Sequence, residues 1–239
     1  MRLLIAVPSK KRPEVFESYT KKFIDKFSCD KILVLEKEDA DDYDFDKKLI
    51  LDKSNQGLSY SLKAVKKYAQ ENGYDLIFKI DDDVKTIGTV WEDIDLLIKP
   101  FEQFASLGAI TFPYTFQFYD KSEKLFTHTN KRLQTCYIIR TSCYSIDQKT
   151  SNLFEDFYNF MMLRKQGYFT LFCARHDINC KPVGKGKGGI QCFDRKQLAI
   201  EAIKEFKAID PTIEVITKKD KSWYYEPKFT DKIYKSKKL

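Results

Sequence analysis

No C-x-x-C pair occurs among the six cysteines, Cys29, Cys136, Cys143, Cys173, Cys180 and Cys192. That excludes a thioredoxin-like redox motif and the paired short spacings of most zinc modules. Long apolar runs are missing as well. The stretch MRLLIAVPSKKRP holds a single short one, less than a signal sequence needs and far less than the ~20 residues of a membrane span. Without a secretion signal the cysteines read as reduced, mostly buried thiols, and the expected location is the cytoplasm. There is no Pro- or Ser-rich linker and no internal repeat, which favours one domain over two across the 239 residues.

What is present begins with a full core. The composition is 43% hydrophobic and 15% aromatic, enough to exclude disorder. The net charge of +7 comes from scattered lysines. It favours an anionic partner such as nucleic acid or a sugar nucleotide, although scattered lysine also makes an ordinary solvated surface.

Strand-like and helix-like stretches alternate through the first half, as in an α/β layer fold. Strands are expected at 3–8, 31–36, 48–52 and 75–80. Helices are expected at 13–27, with Pro13 in the first turn, and at 55–73, stopped by Gly73. An acidic loop, 36–48, is expected to be exposed. Beyond these, a helix is expected at 89–104, strands at 108–114, 134–140 and 168–174, and helices at 151–167 and 194–209.

The stretch DLIFKIDDDV ends in three consecutive carboxylates, Asp81, Asp82 and Asp83. Alternation sends Asp81 and Asp83 out on one side of the strand end and Asp82 on the other. Two oxygen ligands on one side suit Mg²⁺ or Mn²⁺ with phosphate oxygens completing the shell. A solvated acidic turn capping the next helix is the plainer alternative. Three loops meet on that sheet edge. VPSKKRP brings Pro8, Ser9, Lys11 and Arg12, and NQGLS brings Asn55, Gly57 and Ser59 at a helix start suited to an anion. Asn55 could equally be just the cap.

Taken with LFEDFYNFMMLRKQGY, which is similar to the E-D…R…G helix of family-2-like transferases, these motifs make residues 1–195 resemble a GT-A-type glycosyltransferase. The P-S-x-x-R start and I-D-D-D strand end look most like the TET-associated glycosyltransferases, found in phages and thought to add sugars to hydroxymethylated DNA bases. The resemblance implies a Rossmann-related α/β fold, a mixed central sheet flanked by helices. Residues 1–115 would be the nucleotide-sugar half and 116–239 the acceptor half with a basic tail. It implies a UDP-sugar donor with Mn²⁺ or Mg²⁺, a DNA acceptor, and host cytoplasm if the chain is phage-encoded. Ser9, Arg12 and Asp82 would lie by the nucleotide sugar, Asp81 at the ribose or metal, Asp83 and His176 on the metal, and Asp156 would be the catalytic base. The Q-x-x-R-W element of processive polysaccharide synthases is absent, which argues against a membrane polymerase.

Each of the later residues has a competing role. Asn152 and Glu155 have capping-box spacing, and Asp156 could serve only the helix dipole. His176 could be an ordinary surface histidine, or join Cys173, Cys180 and Cys192 around zinc. The loop VGKGKGGIQ, with Lys185 and Lys187, could close over the diphosphate, touch a DNA backbone, or be a plain turn. In 112–132, Phe112, Phe116 and Phe118 fit a core. Tyr114, Gln117, His128, Lys131 and Arg132 are better placed to meet an acceptor. Lys228, Lys232, Lys235, Lys237 and Lys238 could add phosphate contacts or form a frayed tail. Two rival functions remain: a transferase of the same fold acting on a cell-surface saccharide, and a non-catalytic DNA-binding module whose acidic triplet is a helix cap.

Overall fold

The computed structural model describes residues 1–115, 124–146, 153–180, 195–218 and 221–239. The chain runs β1 (Leu3–Pro8), α1 (Pro13–Ser18), α2 (Thr20–Ile24), β2 (Asp30–Glu36), β3 (Lys48–Leu51), α3 (Leu58–Glu71) and β4 (Leu76–Lys79). It continues with β5 (Val84–Ile87), α4 (Ile94–Gln103), β6 (Leu107–Thr111), β7 (Phe126–Thr129), β8 (Tyr137–Arg140) and α5 (Glu155–Lys165). The last elements are β9 (Phe169–Cys173), β10 (Ile178–Cys180), α6 (Arg195–Ile209), β11 (Glu214–Lys218), β12 (Lys221–Lys228) and β13 (Lys237–Lys238).

Nine strands form one mixed sheet in the order β13-β7-β9-β6-β8-β4-β1-β2-β3. Its central strands are largely apolar because both faces are covered. The pleat then divides each strand between two cores. Leu3, Ile5 and Val7 of β1 pack with Phe16, Phe23, Leu97 and Phe101 from α1, α2 and α4. Leu4 and Ala6 pack on the other face with Leu62, Val65, Phe160 and Phe206 from α3, α5 and α6. The expected α/β architecture with a mixed sheet is the one found.

Topology places the site. From β1 the chain steps outward through parallel β2 and β3, then returns to the other side of β1 as parallel β4. The strand order therefore reverses between β1 and β4, and the loops leaving their C-terminal ends diverge around a crevice. Register pairs Ala6 with Lys79, so Ser9 and Asp82 lie just beyond the same level of the sheet.

Several expected elements differ. The single helix over 13–27 is two short ones, broken at Tyr19, whose backbone (φ −123°, ψ −81°) is not helical. The acidic segment is not a plain exposed loop: Lys37–Asp42 forms a 3-10 turn that buries Asp39, and Tyr43 is buried behind it. After the carboxylate triplet the chain enters β5 rather than a helix, and β5 pairs with β10. The tail is not frayed, since β11 and β12 form a hairpin and β13 pairs with β7 at the edge of the main sheet. Among the described residues, no helix is long and apolar enough to cross a membrane.

Candidate functional site

The loop after β1 is folded by side chains from three neighbouring strand ends. Lys11 adopts a left-handed backbone (φ 53°), held by the Asp39 carboxylate, which accepts its N–H at 3.1 Å. The Arg12 N–H donates to the Tyr43 hydroxyl at 2.9 Å. That hydroxyl lies 2.8 Å from Ser9 Oγ, and Ser9 in turn donates to Asp82 Oδ2 at 2.5 Å. Because Ser9 spends its proton on Asp82, Tyr43 is the donor to Ser9. The buried Asp39 and Tyr43 thus explain why the acidic segment folds inward.

Arg12 closes the network. Its Nε donates to Asp82 Oδ2 at 3.1 Å and its Nη2 to Oδ1, a fork-on-carboxylate pairing. The expectation that Asp82 contacts a donor is therefore corrected. Its side chain is 0% exposed, and its oxygens are taken by Arg12 and Ser9, so it braces the loop instead. Burial pushes the Asp82 carboxyl up to about 7, against the pull of Arg12 and Ser9.

Asp81 and Asp83 keep side chains 35% and 24% exposed, Asp81 bonded to Lys79 and Asp83 Oδ2 lying 3.7 Å from the Arg12 guanidinium. Thr20 clasps the turn between them. Its hydroxyl accepts the Val84 N–H at 3.0 Å and donates to the Asp81 carbonyl at 2.9 Å. Burial and then the Asp81 charge push the Asp83 carboxyl up to about 6, opposed by Arg12 and Lys79. The two outward carboxylates thus repel one another across a short gap.

The β2 and β3 ends meet at Glu36, a residue the sequence reading passed over. Its carboxylate accepts from Lys10 Nζ and from the Asn55 N–H, both at 2.8 Å. Asn55 has a left-handed backbone (φ 57°), and its side chain accepts from Lys10 at 2.7 Å. It does not cap α3. Gly57 holds the cap position, with φ 83°, and no side chain bonds the first turn there. Ser59 is buried in that turn. Pro8, Lys11, Arg12, Asn55 and Gly57 thus lie on one sheet edge with Asp81 and Asp83.

The first turn of α5 adjoins the end of β4. Glu155 is not part of a capping box: the cap position is Phe154, with no side-chain bond, and Asn152 lies outside the described residues. Glu155 instead receives Lys79 Nζ at 2.8 Å. Lys79 also donates to Asp81 Oδ1 at 2.5 Å and to the Thr135 carbonyl at 2.9 Å. Burial opposes the Lys79 charge, but Asp81 and Glu155 outweigh it and hold the ammonium well above its ordinary range. Lys79 was legible in principle, since a lysine inside LIFKI must find partners if the strand is buried. Asp156 is half-buried, and burial followed by the Glu155 charge pushes its carboxyl up to about 7. The Tyr114 phenol, bonded to Thr135, lies in the field of both Asp156 and Asp81.

His176 is held elsewhere. Its ring is buried, with Nε2 3.0 Å from Asp93 Oδ2, and the same carboxylate oxygen pairs with Arg175 at 2.9 Å. Burial lowers the proton affinity of the ring. Among the described residues no three His, Cys, Asp or Glu side chains are grouped to hold a metal, so neither a zinc centre nor an Asp83–His176 set is assembled. Cys192, Gln117, Phe116, Phe118, Lys185 and Lys187 fall outside the described residues. The ring lies against Gly88, where an added Cβ would come 2.9 Å from His176 Nδ1 on a backbone at φ +52°. Gly88→Ala is expected to destabilise the fold by about 1–2 kcal/mol, read as a lower midpoint in urea.

Of the expected acceptor contacts, Arg132 stacks 3.9 Å over the Phe157 ring and lowers the Asp156 proton affinity. Lys131 lies 5.9 Å from the Phe172 ring, and His128 meets that ring edge-on.

No protein-family model matches the chain, and no curated protein matches it in sequence. Solved structures do match in fold. One is a fragment of TarS from S. aureus, with a TM-score of 0.51 at 11% identity, covering 84% of this chain and 65% of that one. This chain thus spans less than two thirds of that fragment. Another is glucosyl-3-phosphoglycerate synthase from Mycobacterium tuberculosis, solved with Mn²⁺, UDP and phosphoglyceric acid. It gives a TM-score of 0.55 at 9% identity, covering 98% of this chain and 88% of that one. The same synthase with Mg²⁺ and UDP gives 0.54 at 9% identity, covering 95% and 86%. The fold of this protein is that of the GT-A nucleotide-sugar transferases.

Proposed function

We propose that the protein is a metal-dependent glycosyltransferase that moves a hexose from a nucleoside-diphosphate sugar to a hydroxyl group. The carrying observation is the convergence of Asp81 and Asp83 with Asp156 at the crevice where strand order reverses, the two sides being joined through Lys79. The donor set fits a hard divalent cation. Asp81 and Asp83 are partly exposed carboxylates, Asp83 raised by burial and by the Asp81 charge, and two carboxylates leave positions for phosphate oxygens. A bound cation would neutralise the diphosphate as it departs. His176 enters that shell only if its ring leaves Asp93.

The chain's own groups account for the remaining steps. Arg12 and Lys11 flank the crevice with positive charge toward a diphosphate, and the α3 N-terminus at Gly57 and Ser59 offers backbone N–H groups. Asp156 takes the proton of the attacking hydroxyl as the new bond forms at the anomeric carbon and the bond to phosphate breaks. Direct attack of this kind inverts that carbon. Lys185 and Lys187 are assigned to the diphosphate.

The acceptor we propose is a hydroxymethylated pyrimidine in DNA, with UDP-glucose as donor. Support comes from the P-S-x-x-R and I-D-D-D resemblance, the net charge of +7, and the exposed lysines 228, 232, 235, 237 and 238. The test is a transfer assay with Mn²⁺, UDP-glucose and duplexes carrying hydroxymethylcytosine, hydroxymethyluracil or unmodified bases, read by mass spectrometry of nucleosides. A hexosylated nucleoside from one modified duplex is expected. Product on a saccharide acceptor and none on DNA would reassign the acceptor.

In the same assay Asp156→Asn should bind UDP as the wild type does and lose about 10²–10⁴-fold in turnover. Wild-type turnover should rise through about pH 7 as Asp156 ionises. Wild-type rates in the variant would remove Asp156 from the base role.

A further inference from the structure

The buried ammonium of Lys79 has three protons and three acceptors, each from a different segment: Asp81 beyond β4, Thr135 before β8, and Glu155 in the first turn of α5. Its side chain is 1% exposed, and that of Glu155 is 7% exposed. Two neighbouring charges so deeply buried are a costly way to hold a fold together, since a well-packed apolar pair often does as well. Their location gives them another use. Residue 79 faces the α5 side of the sheet, while one residue on each side of it, Phe78 and Ile80, enters the opposite core.

We propose that Lys79 and Glu155 are positioning residues: through one buried ammonium they fix the Asp81 carboxylate on the donor side and the start of α5, carrying Asp156, on the acceptor side. The role rests on the glycosyl-transfer reading above. Asp81 gives one oxygen to Lys79, which orients the other toward the crevice. Glu155 anchors the helix so that Asp156, the next residue, is presented at a set distance from the donor. The groups around Asp156 are Glu155 on its own helix, Lys79 from β4, Arg132 ahead of β8, and the phenols of Tyr114 and Tyr137. Glu155 raises its proton affinity, and Arg132 and Lys79 lower it.

A merely structural pair would leave the acid limb of the pH–rate profile where it is. The experiment follows hydrolysis of UDP-glucose with Mn²⁺, water acting as acceptor, across pH in wild type, Glu155→Gln, Lys79→Met and Lys79→Met/Glu155→Leu. The Asp156 carboxyl is titrated in parallel by ¹³C NMR without donor. Expected is a limb shifted by about one pH unit to lower pH in Glu155→Gln and to higher pH in Lys79→Met. The double variant, which removes both charges together, should return the limb toward wild type yet turn over about 10–100-fold more slowly per folded molecule. Should Lys79→Met not fold, the double variant and Glu155→Gln carry the test. Rates that fall only with the folded fraction, with an unmoved limb and NMR titration, overturn the proposal. An NMR titration that moves between wild type and the variants, in a protein whose wild type hydrolyses no UDP-glucose and binds no UDP, overturns instead the glycosyl-transfer reading, and the positioning role with it.

Discussion

Asp83→Asn is expected to abolish turnover, by about 10³-fold or more, while leaving the protein at least as stable as wild type. The activity loss follows from removing one of the two outward oxygen ligands. A cation stabilises a departing diphosphate by several kcal/mol, and each 1.4 kcal/mol is about tenfold in rate. The stability follows from electrostatics. Burial and Asp81 hold the Asp83 carboxyl at about 6, above its ordinary value, so its ionised form is disfavoured by the fold. A group raised in this way contributes stability below its unfolded value and loses it as pH rises through about 6. At pH 8 a neutral asparagine removes that cost, so the melting temperature should match or exceed wild type. A variant that lost activity and melted well below wild type would show Asp83 to be structural.

Arg12→Ala should do the reverse to stability. It strips the forked partner from a carboxylate with no exposed surface, leaving only the Ser9 hydroxyl. Breaking one side of a buried ion pair costs about 3–5 kcal/mol. For a chain of this size that is a fall of about 6–20 °C in melting temperature. The cost has a pH signature. Burial already holds the Asp82 carboxyl at about 7, and loss of Arg12 raises it further. Below pH 6 the variant buries a neutral acid and loses little. Above pH 8 it must bury an unpaired charge or bind a proton against the solution. Thermal melts at pH 5.5 and 8.5 check this, and a melting difference equal at both pH values would contradict the assignment.

Much of this arrangement was legible in the sequence because the central strands are buried on both faces. LLIAVP, KILVLE and DLIFKI read as strands from composition alone, and Gly73 and Gly167 end α3 and α5 in left-handed turns, as their positions suggest. The carboxylate triplet was legible as a strand-end feature, but β4 ends at Lys79 and the three aspartates lie beyond it, where alternation no longer sets their directions. The missed features depend on contacts between segments far apart in the chain. β5 pairs with β10, and β7 and β13 are placed by pairing with β9 and β7, so β5, β7, β10 and β13 are not set by their own patterns. Asp39 and Tyr43 look like part of a solvated acidic loop until the β1 loop folds onto them. Glu155 has the spacing of a cap, and only the position of Lys79, 76 residues earlier, explains why it turns inward. His176 shows the same limit, because its partner Asp93 lies 83 residues away.

The most direct test of the central claim is calorimetric titration of the full chain with UDP, with and without Mn²⁺. The account predicts binding that requires the metal and disappears in Asp83→Asn, with Asp156→Asn unaffected. Binding that is absent with Mn²⁺ present, or equally strong when the metal is removed by EDTA, would contradict it.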